Sequence, residues 1–272
     1  MSKAIVPIKV CLVGASGRVG AELSKTLGES PDIEIVLAVD LHHKGCSLRE
    51  LVGPEAPDLI IDHDLECALT REQVDVLVDF THPAAAKKNA LRAIAHQVAP
   101  IIGTSGITAL DQEELREACE KEGVPVMVVP NFAIGAVLMM KFAEMAAKWM
   151  PDAEIIELHH DQKADAPSGT AYHTAELIAA ARKNQPEAAT ELIHVEGVRG
   201  GVVNSVRVHS VRMKGLMAHQ QVIFGSQGET LRISHDCLDR TTYTEGVRLA
   251  IREIRKHKGL IVGLDSLLFQ GK

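Results

Sequence analysis

The chain has 272 residues, of which 46% are hydrophobic and 24% charged, a balance typical of a globular protein with a substantial core. Its net charge of −7 argues against nucleic-acid and anionic-membrane partners, and its aromatic content of only 3% argues against base-stacking surfaces. Any anionic ligand must therefore be bound by local groups.

The cysteines are odd in number, scattered and without a CxxC pair: Cys11, Cys46, Cys67, Cys119 and Cys237. This pattern disfavours a disulfide framework or a zinc cluster and favours a reducing cytoplasm. The N-terminus shows no charged region followed by an apolar core, so we expect no signal peptide. The longest apolar run, 124–140, contains prolines and a glycine, and it predicts a buried strand and helix instead of a membrane span. We therefore expect a cytoplasmic protein with no membrane partner.

The first elements predict a nucleotide-binding site. A β-branched run, Ile8–Val13, is followed by glycines at the first, fourth and seventh positions of Gly14–Gly20, then by a helical pattern and a second strand, Ile33–Val39. Glycines permit a tight turn, and the start of the helix offers free N–H groups to a pyrophosphate. Asp40 lies twenty residues after Gly20, where a carboxylate can accept hydrogen bonds from the ribose hydroxyls. A purely structural glycine turn is the alternative.

Asp40 also bears on cofactor choice, because a carboxylate there repels the 2′-phosphate of NADPH. The basic side chains that follow, His42, His43 and Lys44, either offset this repulsion or form a solvated loop. We favour NADH, or dual use of NADH and NADPH.

Strands and helices alternate through the rest of the first half, apart from an irregular stretch over 45–69. Further strands are predicted at Val74–Phe80, Ala99–Ile102 and Val124–Val129, and helices at 84–96, 108–122 and 135–149. This alternation is typical of a doubly wound parallel sheet, whose ligands bind at the carboxyl ends of the strands. We expect one crevice lined by the turns at Gly14, Asp40, Thr81, Gly103 and Asn131, with Gly103–Gly106 at the nicotinamide end.

The second half has a different pattern. Strands are predicted at Glu154–His160, Val202–Val211, Ala218–Phe224 and Thr230–Ser234, with a helix at Gly169–Lys183 and a hairpin turn at Gly225–Gly228. We expect an α/β chain: a Rossmann-like doubly wound parallel sheet in residues 1–131, completed by about 240–272, and a second α+β domain on a mixed sheet in 132–239.

The stretch Glu154–Ala171 brings together groups that transfer protons and bind anions. His159, His160 and Lys163 follow one another within five residues. Successive strand residues face opposite sides, so we expect different roles for the two histidines. The turn Pro167–Thr170 opens a helix and offers N–H groups and hydroxyls to a carboxylate. Asp165 most simply orders the loop or the lysine.

Two alternatives remain for this stretch. The histidines can be surface residues at a strand end, with Ser168 an ordinary N-cap. A metal site is disfavoured, because adjacent histidines on opposite faces are poor co-ligands and no cysteine or carboxylate lies at a useful spacing.

The same stretch resembles a known family. Glu154-Ile155-x-Glu157-x-His159, followed by Lys163-x-Asp165-x-Pro167-Ser168-Gly169-Thr170-Ala171, is similar to the signature of 4-hydroxy-tetrahydrodipicolinate reductases, long called dihydrodipicolinate reductases. The resemblance covers essentially the whole chain. It includes Gly14–Gly20, Asp79–Thr81, Gly103–Gly106, Pro130–Phe132, and Ser234–Asp236 with Arg240.

This resemblance implies an NAD(P)H-dependent enzyme of the diaminopimelate route to lysine that reduces a cyclic imine dicarboxylate to tetrahydrodipicolinate. It implies that His159 donates or accepts a proton and that Lys163 donates one, while His160, Gly169 and Thr170, with Ser168 beside them, bind substrate carboxylates. The implied cofactor residues are Gly14, Ala15, Ser16, Gly17, Arg18, Val19, Asp40, Gly103, Thr104, Ser105, Val129, Pro130, Asn131 and Phe132. Members are typically homotetramers assembled through the sheets of the second domain, so the resemblance implies that residues 132–239 bind substrate and form the oligomer. Since the cofactor residues lie in the other half of the chain, Glu154–Ala171 is expected to be half of an active site.

The chain departs from the family pattern in two places. Asp161 and Gln162 stand where many members have basic or histidine residues, and Leu41 stands where many have an arginine. Two other functions stay open: a semialdehyde-type dehydrogenase with Cys237 or Cys119 as nucleophile, and a nicotinamide-binding regulator without catalysis. The cysteines lack a convincing neighbouring base, and the intact His159, Lys163 and Thr170 argue against the regulator.

Overall fold

The computed structural model describes residues 6–183 and 192–269, which form two compact units. The first comprises 6–132 together with 240–269, and the second comprises 133–183 with 192–239. The described strands are β1 (Ile8–Val13), β2 (Ile33–Val39), β3 (Val76–Asp79), β4 (Ala99–Ile102), β5 (Val126–Val128), β6 (Asp152–His159), β7 (Gly201–Val203), β8 (Val206–Arg212), β9 (Ala218–Ser226), β10 (Glu229–Cys237) and β11 (Leu260–Val262). The described helices are α1 (Arg18–Thr26), α2 (Leu48–Val52), α3 (Leu65–Arg71), α4 (Pro83–Ala95), α5 (Ala109–Glu122), α6 (Ile134–Ala147), α7 (Gly169–Ala181), α8 (Thr244–Glu253) and α9 (Asp265–Leu268).

The first unit is built on a six-stranded sheet in the order β2-β1-β3-β4-β5-β11, with every neighbouring pair parallel. Its central strands are short apolar runs, and all four residues of both β3 and β4 are buried. A strand that is apolar at consecutive positions suits a sheet covered on both faces, which is the usual setting of parallel strands. The predicted Rossmann-like doubly wound sheet is confirmed.

The last part of the chain completes this first unit. Arg252 on α8 pairs with Asp32 just before β2, with Nε–Oδ2 at 2.7 Å and Nη2–Oδ1 at 3.0 Å. A Cβ at Gly246 would lie 2.0 Å from the carbonyl oxygen of Phe132, so only glycine lets α8 approach that backbone. β11 then adds the sixth strand beside β5.

The second unit is built on a mixed sheet, as the sequence predicted, and this sheet has five strands in the order β10-β9-β6-β8-β7. β6 is parallel to β8, and the other neighbouring pairs are antiparallel. Alternate residues of the strands pack with α6 and α7 in one apolar cluster that includes Ile155, Val208, Val222, Ala143 and Ala175. By the same alternation, Ile156, Leu158, Val211 and Ile223 lie on the opposite face of the sheet.

One predicted element was wrong, and three short elements were not predicted. The single strand predicted at Val202–Val211 is a hairpin of β7 and β8, turning at Asn204 and Ser205, which have positive φ values of 47° and 64°. The stretch described as irregular contains the short helices α2 and α3, capped by Ser47 and Asp64. β11 was not predicted, since three apolar residues carry too weak a pattern. No helix in the described segments is long and apolar enough to cross a membrane.

Candidate active site

The turns predicted to line one crevice lie at the same edge of the first sheet. The last residues of the five strands are in register: Val13 pairs with Val39 and Asp79, Asp79 with Ile102, and Ile102 with Val128. Backbone hydrogen bonds continue past these ends, with Gly14 N–H donating to Val39 at 2.8 Å and Gly103 N–H donating to Asp79 at 2.8 Å. The carboxyl edge thus presents the residues that follow β1 to β5 side by side, which is where open α/β sheets bind ligands.

The Gly14–Gly20 turn has the geometry that a pyrophosphate needs. Gly14 is in the left-handed region with φ 79°, and Gly17 is the N-cap of α1 and donates to Gly14 O at 3.0 Å. A Cβ at Gly20 would lie 2.0 Å from the Gly14 carbonyl oxygen, so the third glycine allows the helix to pack against the turn. Gly17 and Arg18 are exposed while Ala15 is buried, so the start of the helix is accessible. The turn therefore fits a dinucleotide phosphate.

Asp40 follows β2 and is tied to the glycine-rich turn. Its Oδ2 accepts hydrogen bonds from Ser16 N at 3.0 Å and Ser16 Oγ at 2.7 Å, and its Oδ1 accepts one from His42 N at 3.0 Å. Burial alone would raise its pKa, but the bonds from Ser16 and His42 outweigh burial and lower it. Asp40 is therefore an anion at neutral pH. His42, His43 and Lys44 beyond it are exposed, and Lys44 Nζ lies 3.2 Å from His63 Nε2.

The loop after β4, which begins at Gly103, packs against aromatic rings. A Cβ at Gly103 would lie 2.5 Å from the Phe80 ring, which in turn contacts Phe132 with ring centroids 5.5 Å apart. Thr104 is buried and donates to the Thr81 carbonyl at 2.8 Å, whereas Ser105 is exposed. After β5, Val129 and Phe132 are buried, Pro130 is exposed, and Asn131 is half-buried.

Asp79, at the end of β3, orders this part of the edge. It accepts hydrogen bonds from Thr81 N at 2.8 Å, Thr81 Oγ1 at 2.6 Å and Asn89 Nδ2 at 2.8 Å. Burial raises its pKa in spite of these bonds. Because Thr81 also accepts from Thr104, the turns after β3 and β4 are joined by one hydrogen-bond network.

In the second unit, a buried carboxylate organises the end of β6. Glu157, whose side chain is 0% exposed, accepts a hydrogen bond from His159 Nδ1 at 2.5 Å. Arg212 on β8 donates to both carboxylate oxygens, at 2.9 and 2.8 Å. Burial alone would raise the pKa of Glu157, but hydrogen bonds from His159, Arg212 and Ser210 lower it to about 2. Glu157 is therefore ionised, and it lies beside the histidine predicted to move a proton.

The remaining site residues of this unit lie between His160 and Thr170. Lys163 Nζ donates to Asp165 Oδ1 at 2.7 Å, in agreement with the expectation that Asp165 orders the lysine. His160 lies just beyond the end of the strand, half-buried, and its side chain has no hydrogen-bond partner within the described residues. His160 and Lys163 thus both follow directly on the end of β6, His160 without a side-chain partner among the described residues and Lys163 paired with Asp165.

The helix start at Ser168 is partly used by the protein itself. Ser168 is buried, its Oγ accepts from Ala171 N at 3.2 Å as the N-cap of α7, and its own N–H donates to Glu157 Oε1 at 3.2 Å. Gly169 is exposed and Thr170 is half-buried. The first N–H groups of a helix lack intrahelical acceptors, so this end of α7 suits an anionic group.

Comparison with known proteins decides the family. The family model described as "Dihydrodipicolinate reductase, N-terminus" matches residues 8–132, and that described as "Dihydrodipicolinate reductase, C-terminus" matches residues 135–268. The chain belongs to the dihydrodipicolinate reductase family.

Named members of the dihydrodipicolinate reductase family match over nearly their full length. The 4-hydroxy-tetrahydrodipicolinate reductases of Syntrophomonas wolfei and Moorella thermoacetica are each 46% identical, covering 96% and 97% of this chain and 98% and 99% of theirs. A solved structure, a dipicolinate-bound dihydrodipicolinate reductase from Paenisporosarcina sp. TG-14, has a TM-score of 0.84 at 37% identity, covering 96% of this chain and 99% of that chain.

Reasoning from the residues missed Arg212 and gave Glu157 no role of its own. Glu157 could have been found as a carboxylate two residues before His159 on a strand, where side chains share a face. Arg212 gives no such signal, since it lies 55 residues from Glu157 and reaches it only through the pairing of β6 with β8.

The described residues offer no support for a metal or a cysteine nucleophile. They contain no group of three or more His, Cys, Asp or Glu side chains able to hold a metal ion. Cys119 is buried in α5, and burial raises its pKa, which disfavours the thiolate. Cys237 is buried as well and donates to Asp239 O at 3.2 Å.

Proposed function

We infer that the chain is an NAD(P)H-dependent 4-hydroxy-tetrahydrodipicolinate reductase of the diaminopimelate route to lysine. The observation that carries this inference is the match to reductases of that name at 46% identity over 96–97% of the chain. The matched length includes both the dinucleotide-type edge of the first sheet and the His159–Lys163 segment. Overall, the 4-hydroxyl leaves as water together with one ring hydrogen, and the ring gains a hydride from the nicotinamide and a proton.

The dinucleotide would be held by the carboxyl edge of the first sheet. The accessible start of α1 offers N–H groups from Gly17 to Val19 to the pyrophosphate, and the ionised Asp40 is available to the adenosine ribose. The loop Gly103–Ser105 and the residues Val129–Phe132 would hold the nicotinamide end. When bound, the reduced nicotinamide supplies the hydride.

NADH is the favoured cofactor, with NADPH also accepted. An anionic Asp40 opposes a 2′-phosphate, while His42, His43 and Lys44 are exposed on the loop that follows and partly compensate its charge. The balance of these opposing charges supports dual use with a preference for NADH.

Substrate recognition would rest on the second unit. The two carboxylates would be held by Lys163, by His160 and by the helix start at Ser168–Thr170, where Ser168 shapes the turn and Gly169 is accessible. His159 and Lys163 would supply the proton that accompanies the hydride. Fixed donors of this kind act where charge changes in the transition state, which is where electrostatic stabilisation contributes most.

We further propose that the protein is a homotetramer assembled through its second sheet. The face of that sheet opposite α6 and α7 carries Ile156, Leu158, Val211 and Ile223, a row of apolar side chains suited to a second copy. A variant with Ile223→Asp should then dissociate in size-exclusion chromatography with light scattering. If Ile223→Asp eluted at the wild-type mass, this interface would be refuted. None of the five cysteines, all of which lie in the described residues, forms a disulfide, and this supports a reducing cytoplasm.

The deciding experiment is steady-state reduction of freshly generated 4-hydroxy-tetrahydrodipicolinate, with NADH and NADPH measured side by side. We expect turnover with both cofactors and a higher kcat/KM for NADH. A non-catalytic regulator would bind NADH without turnover. A semialdehyde-type dehydrogenase would instead be inactive on the imine and sensitive to thiol alkylation.

A further inference from the structure

We propose that Glu157 and Arg212 form a positioning pair that holds His159 with its proton on Nδ1, so that Nε2 is the atom that exchanges a proton with the substrate. This proposal rests on the proposed function for the identity of the substrate. It assigns roles to two residues that do not themselves contact substrate.

Strand register brings the three side chains together. Glu157 and His159 are two residues apart on β6, so both side chains face the same side of the sheet. On the neighbouring parallel strand β8, Arg212 lies opposite His159 and Ser210 lies opposite Glu157. A shift of one residue in this pairing would turn Arg212 to the other face.

The tautomer of His159 follows from its partner. A carboxylate whose pKa is held at about 2 is ionised at neutral pH, and an ionised carboxylate only accepts hydrogen bonds. The 2.5 Å contact to Glu157 Oε2 therefore requires a proton on Nδ1. Nε2 has no hydrogen-bonding partner within residues 6–183 and 192–269, so it is the nitrogen left for proton transfer.

The same pair also ties together the other two parts of the segment. Arg212 Nη2 donates to the Asp165 carbonyl at 2.6 Å, next to the loop that carries Lys163, and Glu157 Oε1 accepts from Ser168 N at 3.2 Å. One buried ion pair thus contacts the strand end, the lysine loop and the helix start.

Stability alone gives little reason to keep such a pair. Burying a carboxylate and a guanidinium costs desolvation energy, and apolar residues of similar volume are often as stable or more so. Glu157 is fully buried, and Arg212 is 18% exposed. In catalytic pairs of a carboxylate and a histidine, however, the fixed, ionised carboxylate sets the tautomer and the orientation of the imidazole.

Glu157→Gln tests the proposal, because the position of its amide nitrogen is constrained. Oε1 faces two groups that only donate, Arg212 Nη2 and Ser168 N, so an amide nitrogen there would be repelled. Oε2 faces Arg212 and the imidazole, which alone can switch from donor to acceptor. We therefore expect the amide nitrogen at the Oε2 position and the His159 proton on Nε2.

The first readout needs no substrate. Histidine-selective ¹⁵N labelling, with His159→Asn to identify the resonance, should show Nδ1 protonated in the wild type and Nε2 protonated in Glu157→Gln. The matched control is Glu176→Gln, which removes the carboxylate 3.3 Å from His173 Nδ1 on α7. This control should leave the His159 resonance unchanged. A wild-type His159 protonated only on Nε2 would overturn the proposal, even if Glu157→Gln did not fold.

The second readout is kinetic. Glu157→Gln should lower kcat on the order of 10²-fold, the scale of general acid–base catalysis, with little change in the dissociation constant of NADH. In a His159→Asn background the same change should lower kcat less than twofold, because its effect passes through His159. An equal loss in both backgrounds would refute the positioning role. A wild type inactive on the imine would refute the proposed function while leaving the tautomer result in place.

Discussion

The substitution Gly20→Ala is expected to displace the glycine-rich turn and weaken dinucleotide binding. The added Cβ would lie 2.0 Å from Gly14 O, 2.8 Å from Gly14 C and 2.9 Å from Ala15 Cα, where ordinary contacts begin at 3.4 Å. All three are backbone atoms, so no side-chain rotation relieves the clash, and α1 must move by more than about 1 Å from the turn. Overpacking of this kind costs about 1–3 kcal/mol of stability.

The same movement should be visible in cofactor affinity. Displacing the start of α1 by about 1 Å weakens the hydrogen bonds to a pyrophosphate, each worth about 1 kcal/mol, and every 1.4 kcal/mol is tenfold in Kd. We expect the Kd for NADH, from NADH fluorescence on titration, to rise about tenfold or more, with a lower thermal midpoint. Gly28→Ala is the matched control, because a Cβ there meets nothing within 4 Å. If Gly20→Ala bound NADH as tightly as Gly28→Ala, the pyrophosphate assignment of this turn would be wrong.

Lys163→Ala should cut turnover by on the order of 10²-fold or more while leaving the NADH Kd nearly unchanged, and unimpaired turnover would refute its role as proton donor. Asp40→Asn removes the charge and keeps one accepting oxygen, which suffices for Ser16, while the amide nitrogen takes the place of the oxygen that accepts from His42 N. The kcat/KM ratio of NADPH to NADH should then rise about tenfold, and an unchanged ratio would show that Asp40 does not set cofactor choice. The pKa of Glu157 is lowered from 4.5 to about 2, so its ionisation adds to the free energy of unfolding, and this contribution is fully present above pH 4.5. Roughly 3 kcal/mol of the contribution is lost as the pH falls from 4.5 to about 2. Between these pH values the thermal midpoint of Glu157→Gln should fall less steeply with pH than that of the wild type. Equal slopes for the two proteins would contradict this. Cys119→Ala and Cys237→Ala should each keep turnover on the imine, whereas loss of turnover with unchanged NADH binding in either variant would revive a cysteine nucleophile.

Local patterns in the sequence determined a large part of this protein. The strands Ile8–Val13 and Ile33–Val39 and the glycines between them are readable because apolar runs, turn residues and a helix start follow one another within about thirty residues. The doubly wound sheet follows from the same alternation of strands and helices. The proton-transfer segment is also local, since His159, Lys163 and the helix start at Ser168 lie within ten residues.

Features that depend on weak local signals were misjudged. The Asn204–Ser205 turn was hidden inside a β-branched run, because two residues with positive φ interrupt a pattern that otherwise reads as one strand. The three-residue strand β11 is stabilised by pairing with β5, which lies more than 130 residues away in the chain. Short elements of this kind exist because of their neighbours, and their own residues carry little propensity.

The tertiary structure decided how the site is held. Sequence reasoning placed His159 and His160 on a strand end, but it took the pairing of β6 with β8 to bring Arg212 to Glu157 and to His159. Burial of Glu157, with its pKa lowered by three donors from separate positions, is likewise a property of the assembled sheet. The sequence therefore determined which chemical groups are present, and strand register decided which nitrogen of His159 is left to exchange a proton, because a hydrogen bond depends on distances that only the folded chain sets.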